Sequence, residues 1–109
     1  IGFIKGHPNH MSSDDRMAGY CRALERAGIG FDPELVAEGE FDFESGARAA
    51  VRFLDMADRP TAIFASNDEM AAAVLYAARL RGISVPDELS IMGFDDTPIA
   101  SRSFFQLLP

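Results

Sequence analysis

The sequence predicts an α/β fold: three layers, α/β/α, around a parallel sheet of about four strands. Short apolar runs alternate with longer stretches of helical period. The connections between them are short, and Gly or Pro marks several of the junctions. An order βαβαβαβ with short links calls for parallel pairing, right-handed crossovers and helices on both faces.

Each element has its own signal. "IGFIKG" (1–6) is strand-like. "SSDDRMAGYCRALERAG" (12–28) is helical, with Met17, Tyr20, Cys21 and Leu24 at helical spacing. Ser12 followed by Asp15 forms a capping box with Asp in place of Glu, and Gly28 is a stop. "DPELVAEGE" (32–40) begins with a turn and carries a short strand. "FESGARAAVRFLDMA" (43–57) is a second helix, with Asp42 as cap and Ala47, Ala50, Val51 and Leu54 on its inner face. Arg59-Pro60 breaks the chain before a third strand, "TAIFA" (61–65). Residues 68–81 form a third helix, with Met70, Ala73, Val74, Ala77 and Leu80 inward and Gly82 as stop. "LSIMGF" (89–94) is a fourth strand, and the tail from 97 to 109 has no clear period.

Composition narrows the function. The chain has 109 residues, 48% of them apolar, which suits one globular domain. With 17 acids against 10 bases its formal charge is −7, which disfavours direct binding to nucleic acid or to an anionic membrane. No apolar run approaches the ~20 residues that span a bilayer. No basic start followed by an apolar core reads as a signal peptide. Cys21 is the single cysteine, so no internal disulfide forms, and a reducing compartment fits. The chain opens inside a strand without an initiator Met, so it reads as a piece of a longer protein.

The chemistry gathers at strand ends. "FASNDEMAAAV" (64–74) and "LSIMGFDDTP" (89–98) both run apolar and then end in acids. In parallel sheets ligands bind outside the carboxyl ends of the strands. Those ends are the 6–12 loop, the 39–43 turn, Asn67-Asp68 and Asp95-Asp96. A metal site would draw on His7, His10, Asp14 and Asp15, but no zinc-type spacing accompanies them. A phosphoryl acceptor would need acids directly after the first strand, where Gly6-His7-Pro8-Asn9 stands instead. No phosphate-binding glycine loop follows a strand, and no nucleophile–base set supports an enzyme. No cofactor is expected. Asp68 and Glu69 read as first-turn acids that suit the helix dipole, and Asp96 as a turn acid before Thr97-Pro98.

Asn67 and Asp95 differ from those acids, because each stands just beyond its strand, Asn67 after Ser66 and Asp95 as the first polar residue. A carboxylate accepts two hydroxyl hydrogens and an amide both donates and accepts, so the pair suits a polyol. Arg16, one turn into the first helix, adds several donors. Phe41 can stack on a sugar face or a purine, or stand in the core beside Phe43.

The chain resembles the carboxyl-terminal lobe of the effector domain in the LacI/GalR family of bacterial transcription regulators. "IGFIKG", "SSDDRMAGYCRAL", "EGEFDFESGARAA" and "RPTAIFASNDEMAAAVLYAARLRGISVPDELSIMGFDDTPIA" carry the resemblance, with N-D-x-M-A followed about twenty-five residues later by G-F-D-D. It covers residue 1 to about 100. The family pattern implies an effector site at the arginine of S-x-x-x-R-x-x-G, the aromatic of E-G-x-[FW], the asparagine of N-D-x-M-A and the first aspartate of G-F-D-D. Here these are Arg16, Phe41, Asn67 and Asp95, with Ser12 or Ser13 joining from the loop. The resemblance further implies a type I periplasmic-binding-protein-like lobe and a sugar or purine-like effector held between two lobes. Lobe closure would reorient DNA-binding heads, in a cytoplasmic homodimer with the 68–81 helix and the segment after Asp96 near its interface. On this reading residues 1–109 are one lobe, DNA is met only through an amino-terminal head absent from this chain, and no enzyme activity is expected. A solute-binding lobe of an ABC uptake system is the alternative. The family's return strand, P-x-L-T-T, is not visible in "SRSFFQLLP".

Overall fold

The computed structural model describes residues 1–7 and 11–93, apart from the side chains of Met11 and Ser12. The elements run β1 (Gly2–Ile4), α1 (Met11–Arg26), a 3-10 turn (Pro33–Leu35), β2 (Val36–Ala37), α2 (Phe43–Leu54), β3 (Ala62–Ala65), α3 (Asp68–Leu80) and β4 (Ser90–Met92). All the pairings are parallel and the strand order is β2-β1-β3-β4. This is the expected architecture, with strands shorter than their apolar runs and helix ends within a few residues. One boundary differs in meaning. α1 begins at Met11, so Ser12 stands inside the first turn and not at the cap. Gly28 and Gly82 take positive φ, 71° and 68°, just beyond α1 and α3, as helix stops do.

Strand alternation sends side chains to two cores. Phe3 joins Tyr20 and Leu24 of α1, with Met17, Cys21, Val36 and Phe64 packed around them. Ile4, Ala37, Ile63, Ala65 and Ile91 face α2 and α3. A single described helix thus covers one face and two cover the other. The Phe3 and Tyr20 rings stack at 4.7 Å, and the Tyr20 hydroxyl donates to the Ile1 carbonyl. Burial above all holds that phenol above its usual pKa, with the neighbouring Cys21 and Asp32 adding to the shift.

The inner faces of two helices need correction. In α2 the buried residues are Ser45, Gly46, Ala49, Ala50, Phe53 and Leu54, while Val51 is exposed and Ala47 half-buried. In α3, Met70, Ala73, Val74 and Ala77 are buried as expected, but Leu80 is 68% exposed. Apolar residues lie on both sides of these helices, so spacing alone left their orientation undetermined. The reason for the α2 setting is contact with α3: Gly46 packs directly on the Met70 backbone.

Candidate functional site

The site is built at the carboxyl ends of β1, β2 and β3. Beyond β3, Ser66 is buried and its hydroxyl donates to the Ile4 carbonyl at 2.6 Å, tying the ends of β1 and β3 together. Asn67 follows as the cap of α3, its Oδ1 accepting from Met70 N at 3.0 Å. The other end of the same amide is also engaged: Nδ2 donates to the Phe41 carbonyl at 2.8 Å. Each end of the amide keeps capacity for a second bond, one N–H and one lone pair.

Phe41 lies in the turn from β2 to α2. Its backbone is left-handed, φ 63°, which non-glycine residues rarely adopt. Its ring packs against the edge of the α2–α3 core and not beside Phe43, which turns outward to meet Tyr76 at 6.0 Å. Below the ring is Gly6: a Cβ there would stand 2.1 Å from Phe41 Cζ and 2.7 Å from Ser13 Oγ. Above it, the Arg16 guanidinium carbon sits 5.3 Å from the ring centroid, within cation–π range. Ser13 is buried and its hydroxyl donates to the His7 carbonyl at 2.6 Å. Arg16, Phe41, Asn67 and Ser13 therefore form one cluster. Asp95 and the Ser12 side chain, the other expected site groups, lie outside the described residues, as do His10 and Asp96.

Ser45 fixes the turn that carries Phe41. It is buried, and its Oγ accepts from Glu40 N at 2.9 Å and donates to the Asp42 carbonyl at 3.2 Å. Asp42 caps α2 as expected, accepting from Ser45 N at 2.8 Å. Ser45, through its hydroxyl and then its backbone N–H, holds the Asp42 carboxyl below the ordinary carboxylate range, with Arg48 adding to the effect. A lowered folded-state pKa means that this contribution to stability is complete above the ordinary value of about 3.9 and is lost as pH falls through the folded value. Acid unfolding of the wild-type chain followed by circular dichroism thus starts at higher pH than that of Asp42→Asn, whose amide caps without titrating. Superimposable acid limbs would show that Asp42 is not a coupled cap.

Sequence reasoning missed two residues here. Ser45 carries no signal beyond its place three residues after an Asp cap. Asp68 does stand in the first turn of α3, but it is 1% exposed, and a Cβ on Gly93 at the end of β4 would come within 2.8 Å of its Oδ1. A surface acid tuned to the helix dipole would not be buried against a strand end.

Two cavities flank the cluster. One of about 300 Å³ is lined by Glu38, Gly39, Glu40, Ser45 and Arg48, next to the Phe41 turn. The other, about 620 Å³, lies between α1 and the sheet, with Tyr20, Leu24, Ile63, Phe64 and Met92 among its walls. It is the larger of the two and is mostly apolar, and it runs along that face from Ile1 and Ala62 at the amino ends of the strands to Arg16, Phe64 and Met92 toward the carboxyl ends. The convergent polar groups of the cluster stand at the carboxyl ends, where Arg16 borders both cavity and cluster. Among the described residues no cluster of three metal-ligating side chains occurs, and no helix is long and apolar enough to cross a membrane.

The profile of the periplasmic binding protein-like domain matches residues 1–107. The chain belongs to that family. It is 45% identical over 103 residues to the HTH-type transcriptional regulator DegA of Bacillus subtilis, covering 94% of this chain and 30% of DegA. Among solved structures, a regulatory protein of the LacI family from Chloroflexus aggregans superposes with a TM-score of 0.90 at 34% identity, over 99% of this chain and 39% of that one. The transcriptional regulator CelR, solved as a cellobiose complex, gives 0.87 at 36% identity over 93% of this chain and 31% of CelR. The chain thus has the fold of one lobe of a LacI-family regulator, as the sequence resemblance implied, and spans about a third of such proteins.

Proposed function

We propose that residues 1–109 are the effector-sensing lobe of a bacterial LacI-type transcription regulator acting in the cytoplasm. The effector is a neutral, hydroxyl-rich small molecule, with a sugar favoured over a purine. The observation that carries this reading is the cluster of Arg16 over the Phe41 ring with the Asn67 amide beside it. An aromatic face flanked by a guanidinium and a half-committed amide offers stacking area and donors to a polyol. Asp95, the first polar residue after the fourth strand, supplies the charged acceptor. The cellobiose bound to CelR, a neighbour of the same fold, supports a sugar. The acids at the strand ends then serve as hydroxyl acceptors and caps, with no catalytic role.

A second lobe closes over the ligand from the opposite side, and closure shifts the DNA-binding heads because the effector favours one state. The lobe pairs with a second copy through α3, where Tyr76 and Leu80 are exposed and Tyr76 meets Phe43. The uptake-receptor alternative gains nothing from the relatives named above, all of which are transcription regulators.

Calorimetric titration with a panel of neutral sugars and nucleosides tests the reading. The 109-residue chain binds one class weakly, because the second lobe's contacts and enclosure are missing. Asp95→Asn removes that binding and leaves the thermal midpoint near the wild-type value. Unchanged affinity with lowered stability in Asp95→Asn would remove Asp95 from the site.

A further inference from the structure

We propose that Asn67 is a positioning residue that holds the Phe41 ring in place, in addition to any contact it makes with a ligand. Three observations converge. Phe41 has a left-handed backbone with φ 63°, a conformation that a bulky residue keeps only when its surroundings enforce it. The Phe41 carbonyl accepts from Asn67 Nδ2 at 2.8 Å, a tether across 26 positions of sequence. The orientation of the amide follows from its neighbours, because Met70 N requires an acceptor and the Phe41 carbonyl a donor. One side chain therefore caps α3 and locks the turn between β2 and α2.

The rest of the turn is arranged to match. Ser45 bonds the backbone on both sides of Phe41, through Glu40 N and the Asp42 carbonyl. Gly6 leaves the floor on which the ring lies. With the tether intact the aromatic face is set before any ligand arrives, so its placement costs nothing further on binding. Without it, residue 41 relaxes toward the extended backbone and carries its ring off Gly6 and away from Arg16. The inference concerns the ligand-free chain, so it stands or falls separately from the identity of the effector.

Asn67→Asp separates the two duties. A carboxylate caps as well as an amide and still accepts from Met70 N, but it presents an oxygen to the Phe41 carbonyl in place of a donor. Asn67→Ser is the companion variant, because its hydroxyl caps but is too short to reach that carbonyl. The chain contains no tryptophan, so Phe41→Trp provides a fluorophore at the one position of interest. In the Phe41→Trp background both Asn67 variants should raise the acrylamide quenching constant by about twofold or more, as loss of this part-buried hydrogen bond frees the ring. In the native Phe41 background the φ-sensitive HN–Hα coupling of residue 41 should leave its left-handed value in both variants, with far-ultraviolet circular dichroism unchanged. Folded Asn67→Asp and Asn67→Ser chains with wild-type quenching and coupling would overturn the proposal. If only one variant folds, that variant decides.

Discussion

Gly46→Leu prevents the chain from folding, and Gly46→Ala lowers its stability by about 1–3 kcal/mol. The sign of the alanine effect is the informative part. Helix propensity alone favours Ala over Gly in a helix interior by about 0.5–1 kcal/mol. At Gly46 that gain is overridden, because a Cβ would stand 2.6 Å from Met70 Cα and 3.0 Å from the Met70 carbonyl oxygen. Both are backbone atoms of α3, and α3 cannot retreat without opening the core that it shares with α2. Gly19 is the internal comparison. It lies within α1, and a Cβ there meets nothing within 4 Å. Gly19→Ala should therefore stabilise the chain by about 0.5–1 kcal/mol. Urea unfolding of the two alanine variants beside wild type gives both signs in one experiment. Two stabilised variants would mean that α2 and α3 do not approach as closely as described.

Arg16→Met weakens effector binding by about ten- to a hundredfold, the range expected when a charged hydrogen-bond donor is removed. Met keeps the apolar stem that Arg16 lays along the α1–sheet cavity and removes only the guanidinium over Phe41. Of the stability, the cation–π pair with Phe41 accounts for about 0.5–1 kcal/mol. Calorimetry and thermal unfolding on one preparation separate these effects. A large loss of stability with unchanged affinity would make Arg16 a packing residue and move the ligand elsewhere.

The layered fold was legible because it rests on punctuation and period: four apolar runs, three helical stretches, and Gly28 and Gly82 as stops. Orientation within the second layer was less so. In α2, Val51 and Ala47 look as apolar as Ala49 and Phe53, and only the Gly46–Met70 contact decides which side turns in. Leu80 at the end of α3 follows the period of its helix but passes beyond the edge of the core.

The candidate site was partly legible. Arg16, Phe41 and Asn67 stand out by residue type and position, and they do meet. What joins them was hidden, because a left-handed phenylalanine has no local sequence signal of its own, and neither does a tether between residues 41 and 67. Asp68 illustrates the same limit. First-turn acids are usually solvated, and its burial becomes visible only when β4 brings Gly93 against it.

The central claim is that a ligand binds at the carboxyl ends of the strands, on the cluster around Phe41. Amide chemical-shift mapping of the 109-residue chain during titration with cellobiose, the sugar bound by CelR, tests it most directly. The account predicts shifts concentrated at Ser13, Arg16, Phe41 and Asn67, with saturable behaviour even if affinity is weak. Shifts confined to Tyr20, Leu24, Ile63 and Phe64 would place binding in the apolar cavity beneath α1 and contradict it. So would a spectrum unmoved by cellobiose and by every other neutral sugar in the panel.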